Sequence, residues 1–162
     1  MDNIQCTEQF IPAEWIVGKY ELYKTMIFRI AYSYLGNRQD CEDVMQDVFI
    51  KLCYNAPEFC TEEDEKRWLI RVTINLCKNY LRSYWRRNKR NLDEAYDYTQ
   101  EPKDNIMLDI LRLPEKYKTV IQLYYFSGYK IKEISNFLKV SEGAIKMRLK
   151  RARKLLKIEL ED

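Results

Sequence analysis

Apolar residues recur at helical spacing along most of the chain, and no run alternates convincingly with the period of two that marks a half-buried strand. Leu22, Met26, Ile27, Ile30, Ala31 and Tyr34 line up on one face and predict a helix over residues 20–35, stopped by Gly36 and Asn37. A second helix begins near Gln39 or Asp40. Its buried stripe is Cys41, Val44, Met45, Val48 and Leu52, while Asp43, Gln46, Asp47 and Ile50 share the opposite face, and Pro57 closes it. An isoleucine among carboxylates reads either as part of a contact surface or as one more isolated exposed apolar residue. Residues 58–65 are polar and acidic, a loop or a helix start. From 66 to 87 the pattern predicts a long helix with two adjacent apolar faces, one of Leu69, Val72, Leu76 and Tyr80, the other of Ile70, Ile74, Cys77 and Leu81. A helix apolar over that much of its circumference runs through the middle of a bundle.

The remaining strip of this helix carries Arg67, Arg71, Asn75, Lys78, Arg82 and Trp85. Cations with an amide and an indole suit phosphate contact, base-edge hydrogen bonding and base stacking; the plainer reading is a solvated face. Periodicity then lapses, and residues 91–104, with Asp93, Glu94, Asp97, Glu101, Asp104 and Pro102, read as an acidic linker. Beyond it Ile106, Leu108, Ile110, Leu111, Val120, Ile121, Leu123, Tyr124 and Phe126 supply a second core. A short helix over Ile131–Leu138, a tight break at Lys139, Val140 and Ser141, and a longer helix to Lys157 form a helix-turn-helix. In the second of these helices Ile145, Leu149, Ala152 and Leu156 make a narrow apolar stripe, and Lys146, Lys150, Arg153, Lys154 and Lys157 fall on another face. Ser141 is placed to cap it, which leaves Glu142, Gly143, Lys146 and Met147 in the first two turns, where such a helix meets base edges in a major groove. An amphipathic helix with a solvated basic face is the bland alternative, and the short helix and break ahead of it weigh against that.

The expected fold is all-α, with an N-terminal tail (1–16), a helical domain (17–90), the linker (91–104) and a helix-turn-helix domain (105–162). Composition changes this picture little: 162 residues at 46% hydrophobic suffice for two small cores, and a net charge of +3 does not identify a nucleic-acid partner. The distribution of charge says more. Nine basic and no acidic residues lie between Lys66 and Arg90, against nine acidic residues and one lysine between Asp40 and Glu65. Such segregation suits a protein that touches DNA with one surface and a protein with another. Asp2, Glu8 and Glu14 interrupt any secretory signal, and no uncharged stretch nears the roughly 18 residues of a membrane span, so a cytoplasmic protein without membrane insertion is expected. Five cysteines with no C-x-x-C pair and no histidine offer no zinc site, and no other metal or cofactor is expected. Cys41, Cys53 and Cys77 read as reduced core or half-core thiols; Cys60, in a loop, is the one placed for redox sensing.

Three stretches, in order, resemble the extracytoplasmic-function (ECF) group of the sigma-70 family, bacterial sigma factors that confer promoter specificity on RNA polymerase. DCEDVMQDVF (40–49) is similar to the acidic helix that docks on the clamp helices of the polymerase β′ subunit. RWLIRVTINLCKNYLR (67–82) is similar to the helix that recognises the minus-ten element. LPEKY (113–117), EIS (133–135), SEGAIK (141–146) and RARKL (151–155) resemble the domain that reads the minus-thirty-five element. The resemblance assigns polymerase contact to Asp43, Gln46 and Asp47, with Ile50 beside them on the same face. It assigns minus-ten contact to Arg71, Asn75, Lys78 and Arg82, with Arg67 and Trp85 on the same strip. It assigns minus-thirty-five contact to Glu142, Gly143, Lys146, Met147 and Lys150 behind the Ser141 cap, with Arg148 and Arg151 as phosphate or structural residues. In relatives the loop before the minus-ten helix captures a flipped promoter base, which points to Phe59 as a stacking residue. The chain departs from the pattern at Asn79, where many relatives carry aspartate, and at Ala144, where threonine is common; both bear on promoter specificity.

The implied partners are core RNA polymerase, promoter DNA as duplex and as non-template single strand, and an anti-sigma factor, the last usual in the family. A dimeric operator-binding regulator would explain the C-terminal unit but not the basic strip of the central helix. A helical nuclease lacks an acid-base pair or metal constellation. A protein-interaction adaptor leaves both basic faces unexplained.

Overall fold

The structure, a computed structural model, describes residues 11–88 and 105–157, and at 85–88 and 105–108 it describes the backbone alone. Residues 1–10 with Cys6, the linker 91–104, the last five residues and the side chains of Trp85, Ile106 and Leu108 therefore lie outside the described part. Among the described residues every regular element is helical: α1 (Ala13–Leu35), α2 (Arg38–Tyr54), α3 (Glu62–Asn88), α4 (Asn105–Arg112), α5 (Glu115–Ile121), α6 (Ile131–Leu138) and α7 (Glu142–Leu156). The fold is all-α.

Two residues join α1 to α2. Gly36 takes the left-handed conformation (φ 70°) and donates its N–H to the Tyr32 carbonyl at 2.9 Å, which ends α1. Asn37 then caps α2, its Oδ1 accepting the Asp40 N–H at 2.9 Å. Across this corner Ile27, Ile30, Ala31 and Leu35 pack against Cys41, Val44, Val48 and Leu52, and α3 closes the bundle with Leu69, Ile70, Ile74 and Cys77, all buried. Val72, Leu76, Tyr80 and Leu81 of α3 are only half-buried.

Both long helices start earlier than their apolar periodicity suggests. α1 begins at Ala13, inside the expected 1–16 tail, and α3 begins at Glu62, inside the stretch read as a loop or a helix start. The cause at α3 is Thr61, whose Oγ1 accepts the Asp64 N–H at 3.1 Å, followed by four acidic residues in the positive first turn. One of them, Glu65, is buried: its carboxylate accepts from Lys19 Nζ at 2.6 Å and Tyr23 Oη at 2.9 Å, both on α1. Burial, and then this carboxylate, push the Tyr23 hydroxyl well above its ordinary range.

The second core gathers Ile110, Leu113, Tyr117, Val120, Ile121, Leu123, Ile134, Ile145, Leu149, Ala152 and Leu156. Phe126, expected in it, is 46% exposed, and Tyr124 is half-buried. At the end of α5 the chain inserts one residue into the last turn, so that Ser127 N donates to Gln122 O at 2.9 Å, five residues back. One added residue rotates the positions after it by about 100°, which carries Phe126 off the buried face. The two units are packed together: α1 and α4 touch, and the Tyr34 hydroxyl of α1, buried at 1% exposure, hydrogen-bonds Thr119 Oγ1 of α5. Thr119 already donates to the Glu115 carbonyl at 3.0 Å, so Tyr34 is the donor across the boundary.

Candidate functional site

Three surfaces carry the residues singled out from the sequence. On α2, Asp43, Gln46, Asp47 and Ile50 are all exposed while Cys41, Val44, Val48 and Leu52 are buried, so the helix separates one acidic face from one apolar face. Tyr54, 79% exposed, continues that face at the spacing 43, 47, 50, 54; sequence reasoning missed it by ending the surface at Ile50. The spacing itself was the available signal.

On α3 the basic strip forms as expected, but it is not open along its length. Arg71, Asn75 and Arg82 are exposed. The Arg67 guanidinium meets Glu63 one turn earlier at 3.7 Å and Glu133 of α6 at 3.0 Å. Lys78 Nζ lies 3.0 Å from Glu115 of α5. The Arg71 guanidinium sits 4.7 Å from the centre of the Phe137 ring, and Arg67 5.7 Å from that of Tyr129. Burial, and then Glu63, push the Tyr129 hydroxyl up to about 12. Phe59 is half-buried and packs edge-on against Trp68, ring centres 5.7 Å apart. Together with Arg67, Arg71, Tyr129 and Phe137 they line a cavity of about 590 Å³. In the sequence Trp68 is only a neighbour of Arg67; the cavity it shares with Phe59 depends on the 58–61 loop folding back over α3.

On the helix-turn-helix, Lys139 adopts a left-handed φ of 55° and ends α6, Ser135 Oγ donates to the Val140 carbonyl at 2.6 Å, and Ser141 Oγ accepts the Ala144 N–H at 3.1 Å to start α7. Ile145, Leu149, Ala152 and Leu156 are buried, and Ser141, Glu142, Gly143, Lys146, Met147 and Lys150 are exposed. Met147 is 50% exposed. Arg151 is exposed but lies beside the Tyr117 hydroxyl, which it holds below its ordinary range. Arg148 is half-buried and lines a recess with Lys78 and Glu115. Among the described residues no group of three or more Cys, Asp or Glu could hold a metal ion, and no helix is long and apolar enough to cross a membrane.

Residues 20–87 match sigma-70 region 2 and residues 104–156 match sigma-70 region 4. The RNA polymerase sigma factor SigZ of Bacillus subtilis is 31% identical over 129 residues, spanning 74% of this chain and 72% of that protein. The chain belongs to the sigma-70 family. It is an alternative sigma factor of the ECF group: the ECF RNA polymerase sigma factor SigW of Bacillus subtilis is 28% identical over 88% of this chain and 87% of its own length. The fold is that of the sigma factor RpoE from Bartonella quintana, solved in complex with the anti-sigma factor NepR (TM-score 0.70, 19% identity, 90% of this chain and 96% of that one). It is also that of CnrH, solved in complex with the cytosolic domain of CnrY (TM-score 0.63, 18% identity, 90% and 87%). In these terms α1 to α3 are region 2 and α4 to α7 are region 4.

Proposed function

We propose that this sigma factor docks on the clamp helices of the RNA polymerase β′ subunit through Asp43, Gln46, Asp47 and Ile50, with Tyr54 at the edge of the contact. Arg71, Asn75, Lys78 and Arg82 hold the minus-ten element, with Arg67 and Trp85 on the same strip and Phe59 as the ring against which a displaced base stacks. Region 4 lays α7 in the minus-thirty-five major groove, where Glu142, Gly143, Lys146, Met147 and Lys150 meet the bases and Ser141 fixes the helix start. Arg151 serves Tyr117 first and phosphate second. The chain performs no covalent chemistry; it works in the cytoplasm as a bound subunit of polymerase.

The observation that supports this reading most directly is the pair of helices α2 and α7. Each buries a narrow apolar stripe and keeps the contact residues proposed for it in solvent. Neither DNA contact has to be tight alone, because polymerase and the interdomain segment make the second binding event intramolecular. Phosphate neutralisation makes promoter binding weaken steeply with salt. The complexes of RpoE with NepR and of CnrH with CnrY support an anti-sigma factor as the partner that holds this chain inactive.

The test is transcription in vitro with core polymerase from a low-GC bacterium on a fragmented genomic library, with transcript starts sequenced. New starts that share two spaced upstream elements, and that vanish when Asp43, Gln46 and Asp47 are changed together to alanine, are the expected result. Duplex binding by the protein alone with no new starts, on a core enzyme shown to accept a related sigma factor, would favour an operator-binding regulator instead.

A further inference from the structure

A groove of about 570 Å³ lies along the seam between α1 and α2 of region 2 and shares no residue with the three surfaces described above. Its α1 wall advances from Tyr20 to Tyr32, about 18 Å along a helix. The volume falls inside the roughly 300–1,000 Å³ of small-molecule sites. Two chemistries meet in its lining. Three rings, Tyr20, Phe28 and Tyr32, supply flat apolar faces, and three cations, Lys24, Arg29 and Arg38, stand among them against one carboxylate, Glu42. We propose that this groove binds a small molecule that joins a planar aromatic ring to a phosphate anion, a ligand of the nucleotide class.

The rings are already arranged for stacking. Phe28 and Tyr32, one turn apart, hold their planes at 23° to each other with centres 5.9 Å apart, so a third ring can extend the stack. Tyr20 is braced from beneath: its ring leans on buried Phe49 with centres 5.2 Å apart, and Lys24 Nζ stands 5.6 Å from its centre. The cations are available to an anion. Arg29 is exposed and, among the described residues, pairs with no carboxylate. Lys24 meets Glu21 at 2.7 Å and Arg38 meets Glu42 at 2.6 Å, each within one turn of its own helix and in solvent, weak pairs that a multiply charged phosphate displaces easily. Glu42, once released, and the Thr25 hydroxyl can accept from the N–H groups of a base. The surrounding charge limits the length of the ligand. Glu21 beside Lys24, and Asp43 and Asp47 on the adjoining face of α2, repel any chain of phosphates that runs past the groove, which favours a short anion over a nucleic-acid strand.

Isothermal titration calorimetry of the full chain tests this, with ADP and GDP as probes. Adenosine and guanosine carry the ring alone, and pyrophosphate carries the anion alone. At least one nucleotide should bind at a single site, about tenfold or more tighter than its nucleoside or pyrophosphate, because only the nucleotide engages rings and cations together. R29Q/R38Q should weaken that binding by about tenfold or more, the scale of losing hydrogen bonds to a charged group. Both arginines are exposed, so the variant keeps its fold, which circular dichroism verifies. R112Q/K154Q removes the same charge from exposed positions in region 4 and should bind as wild type does. Three results would each overturn the proposal. The first is no binding of either nucleotide at millimolar concentration. The second is pyrophosphate or the nucleoside binding as tightly as the nucleotide, so that ring and anion are not read together. The third is equal affinity for R29Q/R38Q and R112Q/K154Q, which would put the nucleotide on another basic surface.

Discussion

Lys118 is the least comfortable charge in the described structure, and replacing it with methionine should stabilise the protein at neutral pH. Its side chain is 6% exposed, its Nζ donates to the Leu111 carbonyl at 3.1 Å, and the Tyr34 ring lies 5.2 Å away. Burial lowers its pKa from the ordinary 10.5 to about 8, with Glu115 and Cys77 pulling weakly the other way. A lysine depressed on folding is protonated more readily in the unfolded chain. Between pH 8 and 10.5 the unfolded state therefore binds more protons, stability rises with pH across that window, and below pH 8 the full penalty stands. From 10.5 down to about 8, at about 1.36 kcal/mol per pH unit, the penalty is about 3 kcal/mol. Lys118→Met removes it, fills a similar volume and gives up a hydrogen bond to Leu111 worth about 1 kcal/mol. The variant should be more stable than wild type by about 2 kcal/mol at pH 7 and less stable by about 1 kcal/mol near pH 10.5. Urea unfolding followed by circular dichroism at the two pH values reads the difference between the proteins, in which the other titrating groups cancel. A variant less stable than wild type at pH 7, or a difference that does not change with pH, would refute the reasoning.

Local geometry sets three further outcomes. Ser141→Ala removes the α7 cap and should lower stability by about 1 kcal/mol in urea unfolding, with weaker binding of a minus-thirty-five duplex in a fluorescence titration. Lys139→Gly should raise the melting temperature, since a non-glycine residue at φ 55° costs about 1 kcal/mol that glycine does not. Burial pushes the Cys41 thiol up to about 12 and Cys77 higher still, and both are inaccessible. Peptide mapping after brief alkylation at pH 8 should find exposed Cys60 labelled and Cys41 and Cys77 unlabelled until urea is added.

The helix-turn-helix was legible almost to the residue because everything that makes it is local. A cap, a break and an apolar stripe lie within about thirty residues, and hydrogen bonds between near neighbours decide each of them. The acidic face of α2 was legible for the same reason, since exposure of Asp43, Gln46, Asp47 and Ile50 follows once the opposite stripe is buried. Glu65 was not. An acidic residue in an acidic run looks solvated until Lys19 and Tyr23, more than forty positions away, are folded against it. Phe126 was misplaced because helical spacing assumes 3.6 residues per turn, and the turn at Gln122 holds one more.

The basic strip of α3 marks the division. Its composition and spacing, and with them the family, were present in the order of residues, because side chains three and four apart must share a helix face. Whether Arg67, Arg71 and Lys78 stand open or covered was not, because Glu133, Phe137 and Glu115 reach them from far along the chain. Where those contacts fall depends on how two finished cores meet, and neither pattern contains the other.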